Sequence, residues 1–169
     1  MRLASLLTSA ALAAAGFLVL PAVPASAACA DAGEVYYKIS DIHKSRQATN
    51  LKSDYLRGPG TISYSKNKTA SVTATGTVTV GAEAGVIFAQ ASASASVSLG
   101  GTWSHGGTWS YSKPVPKKKT ARLVMFHDSR KFTVKKYQLD GRCNGIKKWT
   151  RHVNAPVKKS ANTWDLQYK

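Results

Sequence analysis

The chain has 169 residues, 24 Lys and Arg against 8 Asp and Glu, and a formal net charge of +16. That length suits one domain with a genuine core, and the charge excludes indifference to polyanions without naming the polyanion. Four scattered histidines, two cysteines and few acids leave little for metal or acid–base chemistry.

The first expected element is a secretory leader. Met1-Arg2 gives a minimal positive start, and Leu3 to Leu20 carries no charge. Pro21, Pro24 and the small run Ala25-Ser26-Ala27-Ala28 then place a cleavage site just before Ala28 or Cys29. A membrane anchor of similar length is disfavoured by the prolines and the Ala/Ser composition. A lipid on Cys29 is disfavoured too, because Ser26 stands where lipoprotein signals want a Leu-like residue. Arg2 leaves with the leader, so the mature chain from Cys29 sets 23 basic residues against 8 acidic ones, a net of +15.

Cys29 and Cys143 are the only cysteines, and export to an oxidising space allows them to pair. The alternative is a bond to a partner protein. Residues 29–54 form a polar N-terminal segment with a first short strand at Val35–Ile39. Gly58-Pro59-Gly60 signals a turn before a strand at Thr61–Ser65.

From Val72 to Val80 the even positions are apolar or small and the odd ones are Thr. After Gly81–Gly85, a second alternation from Ala89 to Leu99 sets Ala, Val or Leu at odd positions against mostly Ser. Period 2 predicts two strands and a long Thr/Ser-rich hairpin over 72–99, with Val86, Ile87 and Phe88 at its tip. An Ala-rich stretch such as 89–96 also suits a helix. The hairpin resembles the insertion hairpins of aerolysin-type pore formers, whose apolar side meets lipid. The competing view is that Thr/Ser alternation covers one sheet of a secreted β-sandwich, and the Ala/Gly-rich apolar face favours it.

Next comes a tandem repeat, Gly-Gly-Thr-Trp-Ser, which sets Trp103, His105, Trp109 and Tyr111 on one side of an extended strand. These four are candidates for partner binding, against the alternative that they cap the core. Strands follow at Ala121–Phe126, Phe132–Leu139, Ile146–Val153 and Thr163–Tyr168, with turns at Asp140-Gly141 and Asn154-Ala155-Pro156. The expectation is an all-β, antiparallel β-sandwich of about seven or eight strands in one domain, 29–169.

The basic residues gather late, at Lys117, Lys118, Lys119, Lys135, Lys136, Lys147, Lys148 and Lys158-Lys159. They are candidates for an anion-binding face, against the alternative of solvated sheet edges. No base-reading helix or zinc spacing accompanies them, so specific nucleic-acid recognition is not expected. His127-Asp128-Ser129 has triad residue types, but neighbours in an extended chain point apart. The expectation is therefore a non-enzyme with no catalytic residues, no metal and no cofactor.

The run Thr73-Ala74-Thr75-Gly76-Thr77-Val78-Thr79-Val80-Gly81-Ala82-Glu83-Ala84-Gly85-Val86-Ile87-Phe88-Ala89, followed by a Ser/Ala/Val tract and a late cysteine, is similar to a group of small secreted actinobacterial proteins. Through that group the chain resembles the adaptor subunits of umbrella toxin particles, used against competing bacteria. The resemblance implies binding to other secreted proteins through loops and the Cys29–Asp41 segment, and it carries over no individual site residue. The alternative is a cationic protein that binds an anionic cell-wall polymer or lipid and inserts the 72–99 hairpin.

Overall fold

The computed structural model describes residues 28–77 and 81–169. Residues 1–27, where the expected leader falls, lie outside them, as do residues 78–80 of the first expected hairpin strand. In chain order the elements are β1 Val35–Lys52, β2 Leu56–Arg57, β3 Gly60–Thr73, α1 Ala82–Ala95, β4 Thr102–Val115, β5 Thr120–Leu139, β6 Gly145–Pro156 and β7 Thr163–Tyr168. The strands pair antiparallel throughout, so the expected all-β class is the one the residues adopt.

The expected strands at 121–126 and 132–139 are one continuous strand, β5, of 20 residues. The polar stretch between them does not form a turn, because its side chains find partners inside. His127 is fully buried, with Nδ1 2.8 Å from Asn162 Oδ1 and Nε2 3.0 Å from the Val157 carbonyl oxygen. Ser129, also fully buried, donates to Gln47 Oε1 at 2.8 Å. Burial of polar groups is tolerable only with such partners.

β1 pairs along one side of β5, from Val35 opposite Gln138 to Lys52 opposite Val124, and β2 continues that side at Leu56 and Arg57. On the other side β6 pairs with the upper half of β5 and β7 with the lower half. β3 and β4 form a separate hairpin in unbroken register from Gly60/Val115 to Thr73/Thr102.

Successive strand residues face opposite sides of a sheet. Ala121, Leu123 and Met125, all odd-numbered, share a core cluster with Ile62, Tyr64, Ala70 and Val115 of the hairpin. Phe132 and Val134, both even-numbered, share another with Ile87, Phe88, Ala91 and Ala95 of α1. The hairpin therefore covers one face of the lower half, and the helix covers the opposite face of the upper half. Between them the chain passes the free edge of β6, bridging Thr75 to Asn154 on the way out and Val97 to Val157 on the way back.

The expected hairpin over 72–99 is corrected by this arrangement. The Ser/Thr-rich hairpin exists, but it is β3 with β4, and residues 82–95 form α1 instead. Alanine is the best helix former, and in helical form Ile87, Phe88, Ala91 and Ala95 fall on one buried stripe. Ile87 and Phe88 are thus core residues, 0% and 1% exposed, and not a tip; Val86 stays 57% exposed. Two glycines permit the close approaches. A Cβ on Gly76 (φ +135°) would lie 2.6 Å from the His152 carbonyl oxygen, and one on Gly101 (φ +71°) 2.6 Å from the Phe88 ring.

Cys29 and Cys143 form a disulfide across 114 positions. It ties the segment before β1 to the β5–β6 turn, where Cys29 N also donates to the Gly141 carbonyl at 3.1 Å. Closing so long a loop is worth roughly 4–5 kcal/mol in the chain-entropy account. Urea unfolding with and without reductant is expected to differ by a loss of that size. In the same assay Phe88→Ala should cost about 3–5 kcal/mol, whereas Val86→Ala should stay within about 0.5 kcal/mol.

Candidate anion-binding face

The helix and the hairpin leave two parts of the sheet uncovered: the even-numbered face of the lower half, where Lys44 stands opposite Arg130 and Arg46 opposite Asp128, and the odd-numbered face of β5 above Ser129. Strand register decides what stands on the second. Lys38 of β1 lies directly opposite Lys135, and His43 opposite Lys131. From the other side, β6 brings Thr150 opposite Lys135, His152 opposite Thr133 and Asn154 opposite Lys131. Like charges directly opposite one another are unfavourable in a sheet, so the Lys38–Lys135 pair gains from an anion above it.

A bulge between Ser40 and His43 turns Asp41 into the same region, with φ +55°. Asp41, His43, Thr75, Lys131, Thr133 and His152 line a cavity of about 630 Å³. His152 Nδ1 lies 3.2 Å from the buried Thr133 hydroxyl oxygen. Asp41 accepts a hydrogen bond from the Ser40 hydroxyl at 3.0 Å. That bond, a second one from Thr133, and the charges of Lys135 and His43 hold its carboxyl below the usual carboxylate range. The one acid of the cavity is therefore already engaged. Beside it Tyr36 and Tyr137 stack at 5.2 Å, and Lys38 Nζ sits over both rings, 5.8 and 5.4 Å from their centroids. Cation–π contact of this kind orients an ammonium without neutralising it.

The candidates read from the sequence are distributed differently. Of the lysines, Lys135 belongs to this face. Lys136, its neighbour, points the other way and is paired with Glu83 of α1. Lys117, Lys118 and Lys119 lie in the β4–β5 turn, about 50 Å along the strand at 3.3 Å per residue. Lys147 and Lys148 are exposed on β6; the register sets Lys147 opposite Tyr137, which brings it to the edge of this face, and Lys148 falls in the bulge that follows.

Trp103, His105, Trp109 and Tyr111 do share one side of β4, but the two tryptophans are half-buried there, while His105 and Tyr111 are exposed. Trp103 stacks on His127 at 3.9 Å, His105 meets Trp109 edge-on at 5.8 Å, and Tyr111 stacks on Trp164 at 6.1 Å. Trp109 Nε1 donates to the Lys68 carbonyl oxygen at 2.9 Å. Both tryptophans are half-buried, and Tyr111 is the more open end of the stripe at 38%. His127, Asp128 and Ser129 do not form a relay, since Asp128 accepts from Ser160 Oγ at 2.6 Å while the other two bond elsewhere.

Sequence reasoning missed Lys38, Asp41, His43, Lys131 and His152, because only long-range register brings them together. The alternation Tyr36, Lys38, Ser40 was the available signal. Comparison with known proteins finds no family model, no curated protein and no solved structure that matches the chain.

Asp41 supplies a check on this geometry. Ser40→Ala should move its carboxyl midpoint up toward the ordinary Asp value, measured by NMR titration of the side-chain carbon. An unchanged midpoint would mean that the hydroxyl does not hold the carboxylate.

Proposed function

We propose that the protein is a secreted, non-catalytic binder of anionic membrane surfaces, using the uncovered upper face of the long sheet. The observation that carries this is Lys38 directly opposite Lys135 on that face, with the exposed Lys131 further along the same side of β5. Export is supported by the leader pattern at residues 1–28 and by a disulfide, which suits an oxidising space. Among the described residues no helix is long and apolar enough to cross a membrane, so contact begins at the surface.

Juxtamembrane Lys and Arg gain about 1 kcal/mol each from an anionic leaflet, and the gain fades within a Debye length. Docking to other secreted proteins through the tryptophan repeat has less to use, since that stripe is half-buried against β7 and His127.

The test is co-sedimentation of the mature protein with vesicles of phosphatidylglycerol and phosphatidylcholine, or of phosphatidylcholine alone. Binding should require the anionic lipid and collapse between low and high salt. The combined substitution Lys38→Gln, Lys131→Gln and Lys135→Gln should weaken it by roughly 3 kcal/mol, about 150-fold. Equal binding to neutral vesicles, or indifference to the triple substitution, would refute the assignment.

A further inference from the structure

The β3–β4 hairpin pairs every residue i with residue 175 − i, from Gly60/Val115 to Thr73/Thr102. The next rung is already present, because Ala74 N donates to the Gly101 carbonyl oxygen at 2.7 Å. Continuing the same register through the inserted segment sorts its residues by polarity, except Ile87 and Phe88, which fall together at the turn with the parity of the polar face. On one face fall Ala74/Gly101, Gly76/Leu99, Ala82/Ala93, Ala84/Ala91 and Val86/Ala89. On the other fall Thr75/Gly100, Thr77/Ser98, Gly81/Ser94, Glu83/Ser92 and Gly85/Gln90. In sequence, Val78 and Val80 carry the apolar parity and Thr79 the polar one. A helix has no use for a period of 2, and α1 draws its buried stripe from Ile87, Phe88, Ala91 and Ala95.

From this we infer that α1 is the resting form of a membrane-inserting hairpin, which on an anionic surface extends β3 and β4 in their existing register. The inference rests on the surface-binding function above. Ala74 to Val86 is thirteen residues, and a tilted strand needs about 9–11 to cross a bilayer. The ends of the helix are weakly fixed: Gly81 gives no side-chain cap, and Ser96 closes it at φ +56°. What holds α1 is packing on Phe132 and Val134 together with the Glu83–Lys136 pair. Lipid phosphates compete for that lysine. The face offered to lipid is mostly Ala and Val, so one hairpin gains little alone. A closed barrel of several copies satisfies every backbone group instead, which makes release of vesicle contents steeply dependent on protein concentration.

Two neighbouring exposed residues separate the helix from the hairpin. Ala93 and Ser94 are both exposed on α1, so Ala93→Arg and Ser94→Arg leave the resting fold intact and add the same charge. In the extended hairpin Ala93 faces lipid and Ser94 faces water. The experiment measures dye release from phosphatidylglycerol/phosphatidylcholine vesicles, alongside co-sedimentation of each variant. Wild type and Ser94→Arg should release dye alike. Ala93→Arg should sediment equally but release at least about 10-fold more slowly, as a cation at mid-bilayer depth on the lipid face requires. Sedimentation of wild type without release, or equal release by the two variants, overturns the insertion and leaves surface binding standing. No sedimentation at all removes both.

Discussion

The fold depends on one strand being long enough to serve two layers. β5 runs for 20 residues and pairs with β1, β2, β6 and β7. Its alternation then allots the faces: odd residues of the lower half to the hairpin, even residues of the upper half to the helix. Neither layer reaches the even residues of the lower half or the odd residues of the upper half, and on the latter stand Lys131 and Lys135, with Lys38 opposite Lys135. The disulfide fastens the upper end of this sheet, where β5 turns into β6. At the lower end Lys113 of β4 meets Asp165 of β7 at 3.0 Å. That contact holds the Asp165 carboxyl below its usual range and lifts the Lys113 ammonium above its own.

Much of the class was legible in the sequence. Strand β7 coincides with its expected limits, and Cys29 bonds to Cys143 within the chain. β6 runs past its expected end at Val153 through Asn154-Ala155-Pro156, where a turn was expected, because these residues pair with β5. What escaped was decided by distant partners. Residues 127–131 read as a break because they are polar, yet Asn162, Val157 and Gln47 satisfy His127 and Ser129 from other elements. β1 was expected to end at Ile39, since the segment around it is polar. It continues to Lys52 because β5 offers a ladder that resumes after each of two irregularities, at Ser40/His43 and Ala48/Lys52. The candidate face was hidden for the same reason, as Lys38 comes from β1 and Lys131 and Lys135 from β5, far apart in sequence.

The segment 82–95 escaped for a different reason. Its alternation is a true strand signal, but its alanine content and the two large residues Ile87 and Phe88 favour a helix wherever a sheet face stands ready to bury them. Phe132, Val134 and Val153 provide that face. The same residues thus satisfy two periodicities, one in the soluble fold and one in the register of the hairpin they interrupt. Local pattern and tertiary packing disagree here, and such disagreement tends to mark function.

The most direct measurement is isotope-edited infrared spectroscopy of protein carrying carbon-13 carbonyls at its alanines, six of which lie in α1. It is recorded free in solution and then bound to phosphatidylglycerol-containing vesicles. The account predicts that labelled intensity moves from the helical to the strand band on binding, and that Ala93→Arg, though bound, keeps the helical band. A helical band unchanged in vesicle-bound wild type would contradict it.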